Sequence, residues 1–224
     1  MSIFLKIAVD GPSASGKGTI ARRLASQFHL SYLDTGALYR VVAKHILENG
    51  GNPDNPEDAL KSALFIRDHF SWNMLEDPGI RNDVVADATS RSSQIPVLRE
   101  ALKAFQKDFA AHPPHKPHLK PWEGSILDGR DIGTSICPDA DVKLYITAST
   151  EVRAQRRTKE LNGKGIPSSY ETVLQDMTER DARDKSRTTN PLRPADDAVI
   201  LDTSNMTIDE VFEKACSVIR KKLA

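Results

Sequence analysis

The chain has 224 residues, enough for one medium-sized α/β domain with insertions around a single core. Its 31 basic and 31 acidic side chains give a formal net charge of zero, which argues against general binding to nucleic acid or to an anionic membrane. No apolar run approaches the roughly 20 residues of a membrane span, and Cys137 and Cys216 lie far apart without a partner motif. We therefore expect a cytoplasmic monomer without a membrane or nucleic-acid partner.

The apolar segments alternate between strand-like and helix-like patterns. Short β-prone runs predict strands at residues 3–10, 30–34, 124–128, 142–147 and 198–202. Helical periodicity predicts helices at 17–28 and 37–47, and a C-terminal helix that begins with a capping box of Thr207 and Glu210. Strands that alternate with helices predict an α/β fold with a parallel sheet covered on both faces.

Three stretches interrupt this alternation. Residues 50–95 open with "GGNPDNPED" and contain no long strand, so they are predicted to be an inserted subdomain. Residues 151–193 are strongly charged and contain no strand candidate, and residues 112–121 form a proline-rich connector. The predicted core then comprises residues 1–49, 96–150 and 194–224.

The segment "GPSASGKGT", from Gly11 to Thr19, follows the first strand and opens the first helix. In such a loop the backbone N–H groups and the helix N-terminus can face phosphate oxygens, and Lys17 can reach the outer phosphates. The common phosphate-loop pattern has Ser or Thr directly after the lysine, where this chain has Gly18. We assign no direct metal ligand, since the Thr19 hydroxyl comes one residue late. A glycine-rich turn without a ligand is the alternative.

Two charged segments carry arginines at helical spacing. On a helix, four residues of "RDARDKSR" share one face, while Glu179 and Asp181 point elsewhere. The four are Arg180, Arg183, Asp184 and Arg187. Upstream, "EVRAQRR" repeats the spacing with Arg153, Arg156 and Arg157. Planar guanidinium groups bind phosphate oxygens bidentately and stay charged, so beside a phosphate loop we favour phosphate binding over a solvated charged face.

Polar side chains also follow two of the predicted strands. Arg130 and Asp131 of "LDGRDIGT" come directly after the third strand, and Thr35 and Arg40 of "DTGALYR" follow the second. Ligands of open α/β sheets collect at the carboxyl ends of strands, which favours a binding role for these residues. A structural turn with a surface ion pair is the alternative for each.

Taken together, "IAVDGPSASGKGT", "LDTGALYR", "LDGRDIGT", "RDARDKSR" and "AVILDTS" resemble, in this order and over nearly the whole chain, the nucleoside monophosphate kinases, and among them the bacterial cytidylate kinases. In that family the loop reads GKGT, so Gly18 is normal. The resemblance implies a P-loop NTPase-type parallel sheet flanked by helices. It also implies that residues 50–95 form the nucleoside-monophosphate-side insert and that residues 151–193 form an arginine-rich helical lid.

The resemblance further implies transfer of the γ-phosphate of ATP to CMP or dCMP with Mg²⁺, giving the diphosphate and ADP. Catalysis is then expected from Lys17, Arg130, Arg183 and Arg187. The residues expected to hold ATP are Gly11, Ser13, Ala14, Ser15, Gly16, Lys17, Gly18, Thr19 and Arg157. Those expected to hold CMP are Arg40, Arg130 and Arg187 at the phosphate, Ser90, Arg99 and Asp131 at cytosine, Arg180 and Asp184 at the sugar, and Thr35.

Two other functions remain open from the residues alone. The same fold can act on another acceptor, either UMP or a hydroxylated metabolite, and a hydroxyl acceptor would need a carboxylate base such as Asp34. A nucleotide-dependent switch is the second alternative. The described motifs favour the kinase, because the chain has no N-K-x-D guanine-reading motif and because two arginine segments suit a second phosphorylated substrate. A phosphate acceptor is already ionised near neutral pH and needs no general base.

Overall fold

A computed structural model describes residues 4–114 and 120–223, so part of the proline-rich connector at 112–121 lies outside the described residues. The chain divides into two compact units. The described residues up to Leu33 and from Lys120 onward form the first unit, and Asp34–Pro114 form the second.

The first unit is built on a parallel sheet that contains each of the predicted strands. The strands are β1 (Leu5–Asp10), β2 (Ser31–Asp34), β3 (Gly124–Gly129), β4 (Val142–Thr147) and β5 (Val199–Asp202). Their order across the sheet is β2-β3-β1-β4-β5, and all run parallel. In the register of β1 and β3, Asp10 lies beside Gly129. The segments that follow these two strands therefore leave the sheet at the same level.

The helices are α1 (Lys17–Gln27), α2 (Thr35–Glu48), α3 (Pro56–Asp68), α4 (Trp72–Glu76), α5 (Asp83–Ser92), α6 (Pro96–Ala111), α7 (Thr150–Gly163), α8 (Tyr170–Ser186) and α9 (Ile208–Leu223). A 3-10 turn at Pro78–Arg81 and a π-helical turn at Ile132–Ile136 complete the described elements. Among these described helices, none combines the length and the apolar character that a bilayer crossing requires.

The core of the first unit lies between the sheet and two helices. Ile20 and Leu24 of α1 and Ile219 of α9 pack against Ile7 and Leu144 of the central strands. The predicted capping box begins α9: the backbone N–H of Thr207 donates to Glu210 Oε2 at 2.8 Å, and that of Glu210 donates to Thr207 Oγ1 at 3.3 Å. This reciprocal cap satisfies two of the amide donors that a helix N-terminus leaves without partners.

Residues 151–193 contain α7 and α8, which pack on each other through Ala154, Val173 and Met177. In agreement with the lack of a strand candidate in the sequence, the structure has helices and no strand in this fully described stretch. The expectation that Arg187 shares a helix face was wrong in one respect, because α8 ends at Ser186 and Arg187 follows it with φ −56° and ψ 132°. The carbonyl of Asp184 accepts from Leu192 N at 2.8 Å, so the chain turns back at this point.

The second unit is helical, as the lack of a long strand in residues 50–95 predicted. Helices α2, α3 and α6 contribute Val42, Ile66 and Leu98 to one buried cluster. Asn55 caps α3 by accepting from Glu57 N at 2.8 Å, and Asn82 caps α5 by accepting from Val85 N at 2.8 Å. These caps fall at the positions where asparagine is preferred, just before the first helical turn.

Candidate active site

The glycines of the loop between β1 and α1 are required by its backbone. Gly11 has a φ of 152°, and a Cβ placed there would lie 2.0 Å from the carbonyl oxygen of Ile146 in β4. Gly16 has a φ of 88° and immediately precedes α1, which begins at Lys17. Only glycine adopts these conformations at low cost, so the loop can lie directly against the sheet.

The loop has the polar groups that an anion needs. Lys17 Nζ donates to the Pro12 carbonyl at 3.3 Å, which holds the ammonium group against the loop. The buried hydroxyls of Ser13 and Ser15 have no hydrogen-bond partner within the described part of the chain. Because a buried hydroxyl is normally hydrogen-bonded, these two suit a ligand oxygen. In the described residues no side chain caps the N-terminus of α1, where an anion can bind in place of a cap.

The position of Asp128 explains why glycine follows Lys17. A Cβ on Gly18 would lie 3.0 Å from Asp128 Oδ2 and 3.6 Å from the Tyr32 hydroxyl. Tyr32 donates to the same carboxylate oxygen at 3.0 Å, which holds Asp128 in place at the end of β3. The space that a Ser or Thr side chain would need is therefore already used by a carboxylate from the neighbouring strand.

A cavity of about 530 Å³ opens beside this loop. Its walls come from residues 14–20, from Arg156 and Arg157 of α7, and from the segment between β5 and α9. Arg157 lies beside Glu160, with Nη1 3.0 Å from Oε2, while Arg156 donates to the Thr203 carbonyl at 2.6 Å. A cavity of this size is typical of small-molecule sites.

A cluster of charges connects the end of β3 to the end of α8. Arg130 Nε donates to Asp184 Oδ2 at 2.8 Å, and Arg187 Nη2 lies 2.5 Å from Asp184 Oδ1. Burial alone would raise the pKa of Asp184, but Arg130, Arg187 and Arg180 outweigh it and hold that pKa below its ordinary value. The carboxylate therefore stays ionised and orients two guanidinium groups that the sequence predicted to bind a phosphate.

Arg183 and Arg153 lie apart from this cluster. Arg183 is exposed on α8, and its Nε donates to the carbonyl of Glu179 at 3.4 Å. Arg153 is buried, and its Nη2 donates to Asp181 Oδ2 at 2.6 Å. The interpretation of Arg153 as part of a phosphate-facing set was therefore wrong, because a buried carboxylate already neutralises its charge.

Asp10 is a residue of this region that the sequence analysis did not select. It is the last residue of β1, and its two carboxylate oxygens accept from Ile132 N at 2.8 Å and from Gly133 N at 2.7 Å. Burial, assisted by the charge of Asp131, raises the pKa of Asp10 to about 7, although the N–H groups of Gly133 and Ile132 and the charge of Lys17 lower it. The carboxylate fixes the π-helical turn that follows Arg130 and Asp131. Its place at the carboxyl end of a central strand was the available signal.

The second unit carries four of the predicted residues. Thr35 is buried at the start of α2, directly after Asp34, whose Oδ1 accepts from Ala37 N at 2.9 Å and so caps the helix. Arg40 Nη1 donates to the carbonyl of Ile80 at 3.1 Å. The capping role of Asp34 gives that carboxylate a structural function, which weakens its interpretation as a base for a hydroxyl acceptor.

Ser90 and Arg99 meet at Ser93, which the sequence analysis did not select. Arg99 is 5% exposed, and its Nη1 donates to the carbonyl of Ser93 at 3.3 Å. The hydroxyl of Ser93 donates to the carbonyl of Ser90 at 3.4 Å, and the guanidinium of Arg99 stands 5.7 Å from the centroid of the Tyr39 ring. Ser90 and Arg99 therefore each contact Ser93, at the junction of α5 and α6.

Comparison with known proteins agrees with these features. The family model described as cytidylate kinase matches residues 7–221. Proteins named cytidylate kinase are 46% identical in Methylocella silvestris, over 95% of this chain and 93% of theirs, and 47% identical in Paramagnetospirillum magneticum, over 96% and 98%. An uncharacterised protein from Eubacterium ventriosum, solved as a crystal structure, shares the fold with a TM-score of 0.54 at 16% identity, over 99% of both chains. The chain belongs to the cytidylate kinase family.

Proposed function

We propose that the chain transfers the γ-phosphate of ATP to CMP and dCMP, giving ADP and CDP or dCDP. Family membership supports phosphorylation of CMP. The residue roles are supported by strands β1 and β3, which end at the same level of the sheet. Because Asp10 lies beside Gly129 in the sheet, the phosphate loop and Arg130 start from neighbouring strand ends. Groups for a donor phosphate and groups for an acceptor phosphate therefore leave the sheet side by side.

The residue types suit an in-line transfer between two phosphates. The attacking oxygen of CMP is already ionised, so the reaction needs alignment and charge neutralisation more than it needs a base. We assign Lys17 to the transferred phosphoryl group, and Arg130 and Arg187 to the phosphate of CMP. Arg40 is assigned to the same phosphate. We assign Arg183, which lies on the exposed side of α8, to catalysis when the lid (residues 151–193) is closed.

The donor site follows from the loop and its cavity. We assign Gly11, residues 13–19 and Arg157 to ATP, since the loop supplies amides and hydroxyls while Arg157 lines the 530 Å³ cavity. The described residues contain no group of three or more metal-binding side chains. That composition suits Mg²⁺, which commonly uses one or two carboxylates together with substrate phosphates. Asp128 beside Gly18 is the carboxylate that we assign to it, and the ion would neutralise charge on the phosphates.

The residues assigned to the base and the sugar of CMP follow from the chemistry of their side chains. Asp131 offers a carboxylate that accepts from the amino group of cytosine and would repel the carbonyl oxygen that uracil has there. Ser90 and Arg99 are assigned to the same base, Arg180 and Asp184 to the sugar, and Thr35 to CMP. We further assign residues 50–95 as the monophosphate-side insert and 151–193 as a lid that excludes water during transfer. Since ATP and CMP are cytoplasmic metabolites and one chain carries every assigned residue, we propose a cytoplasmic monomer.

A coupled assay of ADP release tests this assignment. With ATP and Mg²⁺ held constant, CMP and dCMP should turn over faster than UMP and AMP. A preference for AMP, or a slow loss of ATP that no acceptor changes, would contradict it. Omission of Mg²⁺ should abolish turnover, and substitution of GTP for ATP measures donor preference.

The base-reading role is tested with Asp131→Ala. This change should narrow the ratio of the CMP and UMP rates, because the group that distinguishes an amino donor from a carbonyl acceptor is removed. Asp139→Ala is the matched control, since Asp139 is 68% exposed and pairs with Lys6. An unchanged ratio in Asp131→Ala would assign base reading to another residue.

A further inference from the structure

Arg153 lies in a buried network that joins three segments of the first unit. Its side chain is 3% exposed, although a buried arginine is rare unless it is paired. Its Nε donates to the Ala148 carbonyl at 2.9 Å, at the junction of β4 and α7. Its Nη1 donates to the Ser13 carbonyl at 3.3 Å, in the phosphate loop.

The remaining donors of Arg153 reach α7 and α8. Nη2 donates to Thr150 Oγ1 at 2.9 Å and to Asp181 Oδ2 at 2.6 Å, and Nη1 donates to Asp181 Oδ1 at 3.3 Å. A guanidinium group has five N–H donors, and these contacts use all five. Among the described residues Arg153 therefore has no donor left for a phosphate, and it holds Asp181 through a bidentate pair.

We propose that the Arg153–Asp181 pair positions α8 relative to the phosphate loop, so that Arg187, which follows α8, meets the phosphate of CMP in line with the donor phosphates. The pair acts through other residues and contacts no substrate. This inference rests on the proposed kinase function, since it assigns a role in aligning the two phosphates.

Two adjacent contacts on α8 explain how the helix is held. Asp181 pairs with Arg153, and Asp184, three residues later, pairs with Arg130. Both carboxylates are on the buried side of α8, so the expectation that Asp181 points away from Asp184 was wrong. The two positions are separated by about 4.5 Å along the helix axis. Two contacts at different heights fix both the rotation of α8 and its position along its axis. A reacting group displaced by about 1 Å can lower a rate about 100-fold, so this restraint affects turnover directly.

A purely structural role of the Arg153–Asp181 pair can be separated from a positioning role by a suitable double variant. Breaking a buried ion pair at one partner leaves an unpaired charge and destabilises the fold, whereas replacing both partners by apolar residues of similar volume is often neutral. The double variant Arg153→Met/Asp181→Leu should therefore fold with a melting temperature within a few degrees of wild type. It lacks the contacts to Ser13, Ala148 and Thr150, so α8 is no longer held in register.

The experiment compares this double variant with wild type in three measurements. Its dissociation constant for a non-hydrolysable ATP analogue, measured by calorimetry, should stay within about threefold, because the loop and its cavity remain. Its kcat with CMP should fall about 100-fold, while KM for CMP changes much less. Arg91→Met/Asp54→Leu is the control, because it makes the same two changes in the exposed pair of Arg91 and Asp54, and it should leave kcat unchanged.

Each outcome decides the proposal. A double variant that melts like wild type and retains its kcat within about threefold overturns it, because the pair would then serve stability alone. If the double variant fails to fold, Asp181→Glu replaces it: the ion pair remains, but the extra methylene displaces α8, and wild-type kcat in that variant would also overturn the proposal. A wild-type chain that phosphorylates none of the monophosphates refutes the proposed function itself, and this inference with it.

Discussion

Arg130 and Asp184 form a direct ion pair at 2.8 Å although 54 residues separate them in the chain. The other oxygen of Asp184 lies 2.5 Å from Arg187. One carboxylate therefore holds two of the guanidinium groups that we assign to the phosphate of CMP. The pair connects the end of β3 to the end of α8, and its loss should affect both folding and turnover.

Asp184→Asn tests this connection. The amide cannot neutralise two guanidinium groups, and its NH₂ would face one of them. We expect the free energy of unfolding to fall by about 3 kcal/mol, as when one partner of a buried pair is removed. We also expect kcat to fall about 100-fold, because both arginines lose their orientation. Urea denaturation and steady-state kinetics with CMP measure the two effects.

Asp196→Asn is the control for that substitution. Asp196 is fully exposed and lies 3.6 Å from Arg193, so the same chemical change there removes an interaction worth less than about 1 kcal/mol. Both measurements should stay at wild-type values. A kcat in Asp184→Asn equal to that of Asp196→Asn would separate Asp184 from the chemistry.

Arg187→Ala should separate turnover from stability more cleanly. Asp184 keeps its contact with Arg130 in this variant, so we expect the fold to lose only about 1 kcal/mol. The rate should fall by about 100- to 1000-fold, because one charged donor to the transferring phosphates is removed. Arg193→Ala, at an exposed arginine, is the comparison. Wild-type kinetics in Arg187→Ala would limit this arginine to its structural pairing with Asp184.

The sequence was sufficient to predict the sheet and the phosphate loop. Buried parallel strands are continuous apolar runs, and each of the five was located within two residues at either end. Helix α6 was not predicted, although Pro96 at its first position and the buried Leu98 and Leu102 give a helical start and spacing.

The charge network could not be predicted in the same way. Whether Asp181 meets Arg153, or Asp184 meets Arg130, depends on how α8 is rotated against the rest of the first unit. That rotation is set by packing of residues such as Met177, which are distant in sequence from their contacts. Helical spacing alone shows which residues share a face and leaves open which partner that face meets.

Gly18→Ala tests why this loop departs from the common phosphate-loop pattern. The new methyl carbon would lie 3.0 Å from Asp128 Oδ2 and would push this carboxylate out of its present position, in which it accepts a hydrogen bond from Tyr32. Alanine adds up to about 1 kcal/mol of helix propensity, which offsets much of the overpacking, so the melting temperature should change little. Turnover should fall about tenfold or more, since Asp128 is displaced from the donor phosphates.

Gly163→Ala is the matched control for Gly18→Ala. Gly163 is also helical, and a Cβ there would meet nothing within 4 Å in the described structure. This variant should gain about 0.5–1 kcal/mol of stability without a change in kcat. If both alanine variants retained full activity, the contact with Asp128 would not explain the glycine.

Asp10→Asn tests the pH dependence that the buried carboxyl gives the fold. Burial raises the pKa of Asp10 from 3.8 to about 7, so between these values the folded state keeps a proton that the unfolded state has lost. The folded state then binds more protons, and stability falls as pH rises through this window, by at most about 1.4 kcal/mol per pH unit. Above about pH 7 both states are ionised and the contribution levels off.

The measurement is the difference in free energy of unfolding between wild type and Asp10→Asn, taken by urea denaturation at each half unit from pH 4.5 to 8. The asparagine does not titrate, so this difference should decrease as pH rises and become constant near pH 7. Asp139→Asn, at an exposed carboxyl, serves as the reference for pH effects that are not specific to Asp10. A difference that stays constant over this range would mean that the amides of Ile132 and Gly133 keep Asp10 ionised throughout, because charge-assisted hydrogen bonds favour the carboxylate.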